Sequence, residues 1–136
     1  MKKLIYPTFI FVLMIISTSV TFGSSAPEAK HTFRSTGREI DFDVERAQGE
    51  ISLFFQSAAF GTYDEILVER SESENGIYSV CKTIEVPQTR IADGYYKTAD
   101  KYPTAVQKDC YYRIKTIAKD GVIKTYPPVL LSAISK

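Results

Sequence analysis

Two cysteines and a single histidine are the residues of this 136-residue chain whose types most readily do chemistry. Cys81 and Cys110 make an even count, which in an exported protein favours a disulfide; it would close a loop of roughly 30 residues and stabilise the fold by about 3 kcal/mol. Two thiolates and one distant histidine do not make a four-ligand zinc site, so we expect no metal. His31 lies in a polar stretch without periodicity. We therefore expect it to be a solvated tail residue, neither a ligand nor a catalytic base.

A run of carboxylates follows in residues 39–45, where acidic and apolar residues alternate. One side of this predicted strand carries Ile40, Phe42 and Val44, and the other carries Glu39, Asp41, Asp43 and Glu45. Calcium needs oxygen ligands that converge from a loop at about 2.4 Å, whereas strand residues two apart diverge along a line. We therefore expect a solvated acidic edge that opposes aggregation through sheet pairing.

Catalysis and nucleic-acid binding both lack the residues that they need. The sequence has no nucleophile elbow, no glycine-rich phosphate loop and no histidine within residues 38–134, and nothing would hold a substrate against the paired carboxylates. Without Lys2 and Lys3, 15 of the 17 basic residues remain against 16 acidic ones, a net charge of −1 with no basic stripe. We expect a non-enzymatic protein with no cofactor and no nucleic-acid partner.

The N-terminus has the pattern of a signal peptide, residues 1–23. Lys2 and Lys3 precede an apolar run, and small polar residues follow as a cleavage region after Gly23 or Ser25. The alternative is an uncleaved anchor, but an apolar run of about thirteen residues is shorter than the roughly twenty that span a bilayer. We expect an exported protein, periplasmic or extracellular, without stable membrane insertion after cleavage. Residues 24–37 are predicted to be a disordered linker.

The remaining chain alternates with period two, which predicts strands. In the segment that begins at Cys110, Tyr112 and Ile114 fall on one face and Arg113 on the other, and Asp120-Gly121 then marks a hairpin turn. Pro127-Pro128 must place the last strand at an edge or bend it there, because proline cannot donate to a ladder. The predicted strands cover 39–45, 50–57, 63–71, 77–84, a part of 91–99 through residues 95–98, 110–118 and 122–134. Several short strands at this spacing favour an all-β sandwich.

Three motifs then resemble fibronectin type III domains, in the variety that precedes sorting domains in secreted proteins of gliding bacteria. ISLFFQSAAFGTYDEILVERS (residues 51–71) is similar to the B–C hairpin, YKTAD (96–100) followed by Pro103 to strand E, and YYRIK (111–115) with Asp120-Gly121 to strand F. The resemblance covers about residues 38–134. It implies a seven-stranded fibronectin type III or immunoglobulin-like antiparallel β-sandwich.

Two departures from the family pattern bear on packing and on the disulfide. Phe55 stands where the family usually has a core tryptophan, and Cys110 stands where many members carry the tyrosine that fixes the E–F corner. In the family arrangement the strands holding Cys81 and Cys110 flank strand C. Two strand spacings separate them by about 10 Å, beyond the roughly 7 Å that a disulfide allows, unless one strand curls away. The disulfide is therefore left open.

The resemblance implies a binding or adhesion module for a protein or glycan partner. Tyrosine and phenylalanine suit such a role, and Phe54, Tyr95 and Tyr102 are the candidates because they are predicted to face outward or lie in loops. Local packing over the rim of the sandwich is the alternative for each of them. The alternative function is a structural spacer or accessory subunit of an envelope or secretion assembly, with no ligand of its own.

Overall fold

The computed structural model describes residues 30–33, 36–47, 49–101 and 108–133. Its contacts divide the chain into two units, residues 1–30 and 31–136, and every described strand belongs to the second unit. The predicted signal peptide, 1–23, and much of the predicted linker, 24–37, lie outside the described residues. Within the described ranges no helical segment has the length and apolarity that crossing a membrane requires.

The alternating segments form antiparallel strands, as predicted, and the described chain is all-β apart from two short 3₁₀ turns at Phe60–Thr62 and Val86–Gln88. The strands of the described residues are β1 Asp41–Ala47, β2 Glu50–Gln56, β3 Tyr63–Ser71, β4 Ser79–Glu85, β5 Tyr95–Asp100, β6 Cys110–Ala118, β7 Ile123–Thr125 and β8 Val129–Leu131. One sheet has three strands in the order β1-β2-β5. The other has five, in the order β4-β3-β6-β7, with β8 also paired to β6.

The predicted number of seven strands is wrong for the described residues, which contain eight. The difference arises at Pro127-Pro128, where the last predicted strand is broken into two short pieces. Both pieces pair with the same strand: β7 lies along Lys115–Ile117 and β8 along Cys110–Tyr112. Proline has no N–H to donate to a ladder, so the chain leaves β6 at the prolines and rejoins it beyond them.

Two Asp-Gly pairs fix the turns. The predicted turn after β6 is present, with the Gly121 N–H donating to the Ala118 carbonyl at 2.8 Å. A second turn precedes β5, where Asp93 and Gly94 both have positive φ, as a two-residue hairpin turn requires. Gly94 also tolerates no side chain, because a Cβ there would lie 2.6 Å from the Ser57 carbonyl oxygen. The turn therefore ties β5 to the end of β2.

One hydrophobic core is shared by the inner faces of both sheets. Phe55 and Tyr112, in different sheets, are among its largest fully buried side chains. Each such side chain contributes about 1.5–3 kcal/mol by leaving water. The core comprises Ile40, Val44, Ile51, Leu53, Phe55, Phe60, Tyr63, Ile66, Val68, Ile84, Val86, Cys110, Tyr112, Ile114 and Leu131.

Candidate functional site

The outer face of the three-stranded sheet carries the predicted aromatic candidate Phe54. Residues directly opposite each other in antiparallel strands share a face, and Phe54 lies opposite Asp43 on β1 and Lys97 on β5. The predicted outward orientation of Phe54 is therefore correct. Its predicted exposure is wrong, because only 7% of the residue is accessible to solvent.

A short segment from the N-terminal side covers Phe54. Residues 31–33, here called the strap, place the His31 imidazole parallel to the Phe54 ring at 4.1 Å between centroids. Phe33 meets His31 edge-on at 4.9 Å and also contacts Tyr95 at 6.4 Å. The Lys97 ammonium lies 5.6 Å from the centre of the Phe54 ring. The strap thus extends an aromatic stack across the middle of this sheet.

Two carboxylates of β1 hold the strap in place. The distance from His31 Nε2 to Asp43 Oδ2 is 2.9 Å, and that from Nδ1 to Glu45 Oε1 is 3.2 Å. Both contacts can be hydrogen bonds only when the imidazole carries a proton on each nitrogen. The prediction of a solvated His31 is wrong, because its side chain is only 10% exposed. Asp43 and Glu45 thus face one imidazole, whose position strand alternation could not predict.

His31, Asp43 and Glu45 are also the described residues whose donor atoms lie close enough together to be considered as metal ligands. The carboxylates face different nitrogens of the same ring, whereas one ion would bind a single nitrogen and need both carboxylates on that side. Each carboxylate instead has a ring nitrogen of its own within hydrogen-bonding distance. The geometry therefore supports a clamp for the strap better than a metal centre.

The other two predicted binding aromatics have different outcomes. Tyr95 lies on the outer face of the three-stranded sheet, opposite Gln56, and is partly buried against Phe33. Tyr102 lies outside the described residues. A binding role for Phe54, Tyr95 and Tyr102 remains a prediction.

A buried polar network joins the two sheets. Asp100, the last residue of β5, is buried and accepts a hydrogen bond from the Tyr112 hydroxyl of β6 at 2.8 Å. It also pairs with Arg70 of β3. Burial, followed by the bond to Asp100, raises the pKa of Tyr112. The polarity of Asp100 is that of a loop residue. Its side chain instead reaches the other sheet, and Arg70 points inward to pair with it.

The two cysteines lie on either side of β3 and are free thiols. Cys81 is the extra residue of a bulge in β4 and contacts the Val68 carbonyl at 3.4 Å, while Cys110 contacts that of Ser71 at 3.7 Å. β3 pairs with both β4 and β6, so the strands that hold the two cysteines flank it, as the family arrangement predicts for strand C. Two strand spacings between the cysteines oppose a direct disulfide. Burial and the nearby Asp100 carboxylate raise the pKa of Cys81 to about 12, and burial also raises that of Cys110. Neither thiol is therefore a ready nucleophile at neutral pH.

The outer face of the five-stranded sheet is built around a buried carboxylate. Glu69 accepts hydrogen bonds from Arg113 Nε at 2.6 Å and from Lys115 Nζ at 2.9 Å. Burial alone raises the pKa of Glu69, but the bonds from Lys115 and Arg113 outweigh it, so the pKa lies below its ordinary value of 4.5. The Arg113 guanidinium also lies over the Tyr78 ring at 3.9 Å.

Three aliphatic side chains on this same face remain in contact with solvent. The register places Val80 opposite Glu69, Ile123 opposite Ile117, and Leu130 opposite Tyr111, so all three point outward. Their exposed fractions are 52%, 63% and 47%. We call the outer side of this sheet, with Val80, Arg113, Lys115, Ile123 and Leu130, the open face. Among the described residues, no large hydrophobic side chain of the three-stranded sheet is exposed to this degree.

Comparison with known proteins identifies a shared fold and no family. No model of a protein family matches the chain. No curated protein matches it. Among solved structures, the chain is similar to part of pectate lyase Pel3 from Pectobacterium carotovorum, with 14% sequence identity and a TM-score of 0.53. The match covers 68% of this chain but only 27% of that one. At this identity the likeness concerns the arrangement of strands alone.

Proposed function

We propose that this chain is an exported, non-enzymatic binding module with a fibronectin type III or immunoglobulin-like sandwich fold, in which β7 and β8 are two halves of one broken seventh strand. The shared core and the position of β3 between β4 and β6 support that fold. The basic and apolar pattern of residues 1–23 supports export. The raised pKa values of both thiols support a non-enzymatic role.

The open face is the contact surface, and the partner is a protein. The observation that carries this proposal is the placement of exposed Val80, Ile123 and Leu130 on one sheet face, around a fixed Arg113. Leu130 lies beside Tyr111 and Ile123 beside Ile117 of β6, so the apolar side chains alternate with charged ones across the face, a mixture that protein–protein contact surfaces also show. Arginine and tyrosine are enriched at the centres of such sites. Glu69 and Tyr78 already hold Arg113 in one conformation, so its side chain loses less conformational entropy when a partner binds.

A pull-down from the native cell envelope and medium, with mass spectrometry of the retained proteins, tests the proposal. The open-face variant is Ile123→Glu/Leu130→Glu. Its matched control is Ala47→Glu/Gln56→Glu, which adds the same charge at exposed positions of the three-stranded sheet. We expect one specific protein to be retained by the parent and the control, and to fall at least about tenfold with the open-face variant. Circular dichroism verifies that each variant is folded.

The other outcomes contradict the proposal in different ways. A partner that the open-face variant retains and Tyr95→Ala loses would move the site to the three-stranded sheet. If the retained material is a glycan and both double variants still bind it, the open face has no role in binding. If the parent protein retains no partner, the alternative function, a structural spacer or accessory subunit, is favoured.

A further inference from the structure

The strap contacts the three-stranded sheet through alternate side chains. His31 and Phe33 are partly buried, whereas Thr32 between them is exposed. None of these three residues belongs to a strand of the two described sheets, and none is part of the hydrophobic core. The strap is therefore a segment bound to the surface of the sandwich, and it can leave that surface without opening the core.

The surface beneath the strap combines an aromatic floor with charged sides. We call it the strap seat and define it by Asp43, Glu45, Phe54, Tyr95 and Lys97. The register places Phe54 opposite both Asp43 and Lys97, so these three residues stand side by side on neighbouring strands. Phe54 of β2 forms the floor. The two carboxylates belong to β1 on one side of it, and Tyr95 and Lys97 belong to β5 on the other.

The strap itself shows which side chains the strap seat accepts. The planar ring of His31 stacks on Phe54 with 4.1 Å between centroids, and its two nitrogens lie 2.9 and 3.2 Å from carboxylate oxygens. Two residues later, the Phe33 ring packs against Tyr95 with 6.4 Å between centroids. The strap seat therefore accepts a planar side chain with nitrogens at its edge, followed two positions later by an aromatic side chain.

The charges of the strap seat narrow the ligand further. Two carboxylates and one ammonium surround the Phe54 ring, so a basic side chain is favoured over an acidic one. Arginine meets the same requirements as histidine, because its guanidinium is planar, stacks on aromatic rings and presents several N–H donors to carboxylates.

The hold of the strap on its seat is open to competition. The Asp43 and Glu45 side chains are 38% and 55% exposed, and contacts to such exposed carboxylates contribute little net stability. A segment tethered next to its own site nevertheless acts as a ligand at a local concentration on the order of millimolar. The strap therefore keeps weak ligands out, while a ligand that binds more tightly can displace it.

We propose that the strap seat is a peptide-binding site and that the strap is its competing internal ligand. The peptide is a segment of another protein in which histidine or arginine is followed two residues later by an aromatic residue. Strap and peptide use the same contacts, so they exclude each other. The site lies on the sheet opposite the open face and does not depend on a partner bound there.

The test is a titration of the ¹⁵N-labelled protein with a synthetic peptide of residues 28–36, EAKHTFRST, blocked at both ends. His31→Ala/Phe33→Ala empties the strap seat, and Thr32→Ala, at the exposed position of the strap, is the matched control. We expect the peptide to bind the emptied variant at least about tenfold more tightly than the parent or the control, because the strap no longer competes. The amides of Phe54 and Lys97 should shift on binding.

Substitutions in the peptide and in the emptied variant test the chemistry of recognition. A His31→Arg peptide should bind at least as tightly, whereas a His31→Phe peptide, which keeps a ring without nitrogens, should bind about tenfold more weakly. Asp43→Asn/Glu45→Gln in the emptied variant should weaken binding of the original peptide about fivefold. Glu74→Gln/Glu85→Gln removes the same charge at exposed positions elsewhere and should leave binding unchanged.

Three results would overturn the proposal. The first is that the peptide binds the emptied variant no more tightly than the parent, which includes binding to neither. The second is binding that Asp43→Asn/Glu45→Gln does not weaken, or that the His31→Phe peptide matches. The third is a set of amide shifts confined to the open face. Circular dichroism verifies folding, and His31→Ala alone replaces the double variant if that variant does not fold.

Discussion

The outer faces of the two sheets begin from similar sequence patterns and end in different states. Each carries large apolar side chains at outward positions: Phe54 on the three-stranded sheet, and Val80, Ile123 and Leu130 on the five-stranded sheet. Phe54 is buried because His31 of the strap stacks on it, whereas the aliphatic residues of the open face remain exposed. Strand alternation gives the direction of a side chain, and contacts from distant chain segments decide whether solvent reaches it.

The two faces also use charge differently. On the three-stranded sheet, Asp43 and Glu45 fix a segment of the chain through His31. On the open face, Glu69 fixes two of the sheet's own side chains, Arg113 and Lys115, and leaves the neighbouring aliphatic residues uncovered. The first arrangement closes a surface, and the second orders one that is available to a partner.

Truncation of one outward residue on each face should give the largest contrast. Phe54→Ala should lower the free energy of unfolding by about 3 kcal/mol, because it removes a buried ring with its stacked partner. Leu130→Ala should lower it by less than about 0.5 kcal/mol, because half of the side chain is already in water. Denaturant unfolding measures both. Equal losses would remove the distinction between the two faces.

Glu69→Gln should destabilise the protein by about 1.5 kcal/mol at pH 7, because it weakens two charge-assisted hydrogen bonds to a buried group. Since the folded pKa of Glu69 lies below its ordinary 4.5, this stability is complete above that pH and is lost as the pH falls through the folded value. The difference between parent and variant should therefore shrink below about pH 4.

Unfolding curves between pH 3 and 7 provide the measurement for Glu69. Glu85→Gln on the same face is the control, because Glu85 is exposed. A difference that does not change with pH would show that the charge of Glu69 contributes nothing through its pairs with Arg113 and Lys115.

His31→Ala should lower the free energy of unfolding by less than Phe54→Ala or Glu69→Gln, by about 1 kcal/mol, because the strap is short and one of its two carboxylate partners, Glu45, is exposed. Its effect on solvent access should be larger. Oxidation of Phe54 by hydroxyl radicals should increase several-fold while that of Ile123 does not change. Unchanged oxidation of Phe54 would mean that Lys97 and β1, without the strap, suffice to cover the ring.

Part of the fold follows from local pattern: burial alternates along β6 as its sequence predicts. In β2, five consecutive residues are buried, because the strap covers its outer face as well. What escaped prediction depends on residues far apart in the chain. His31 is 23 positions from Phe54, and no periodicity connects them. Asp100 has the polarity of a loop residue, and only its contact with the other sheet makes it the partner of Arg70. The prolines did signal a break, but not that both halves would pair with β6.

Hydroxyl-radical footprinting of the free protein and of its complex with the captured partner tests the central claim most directly. The peptide with Phe54 should be protected in both states, whereas those with Ile123 and Leu130 should be oxidised in the free protein and protected in the complex. Protection that appears on the three-stranded sheet, with Ile123 and Leu130 oxidised equally in both states, would contradict the assignment of the open face as the contact surface.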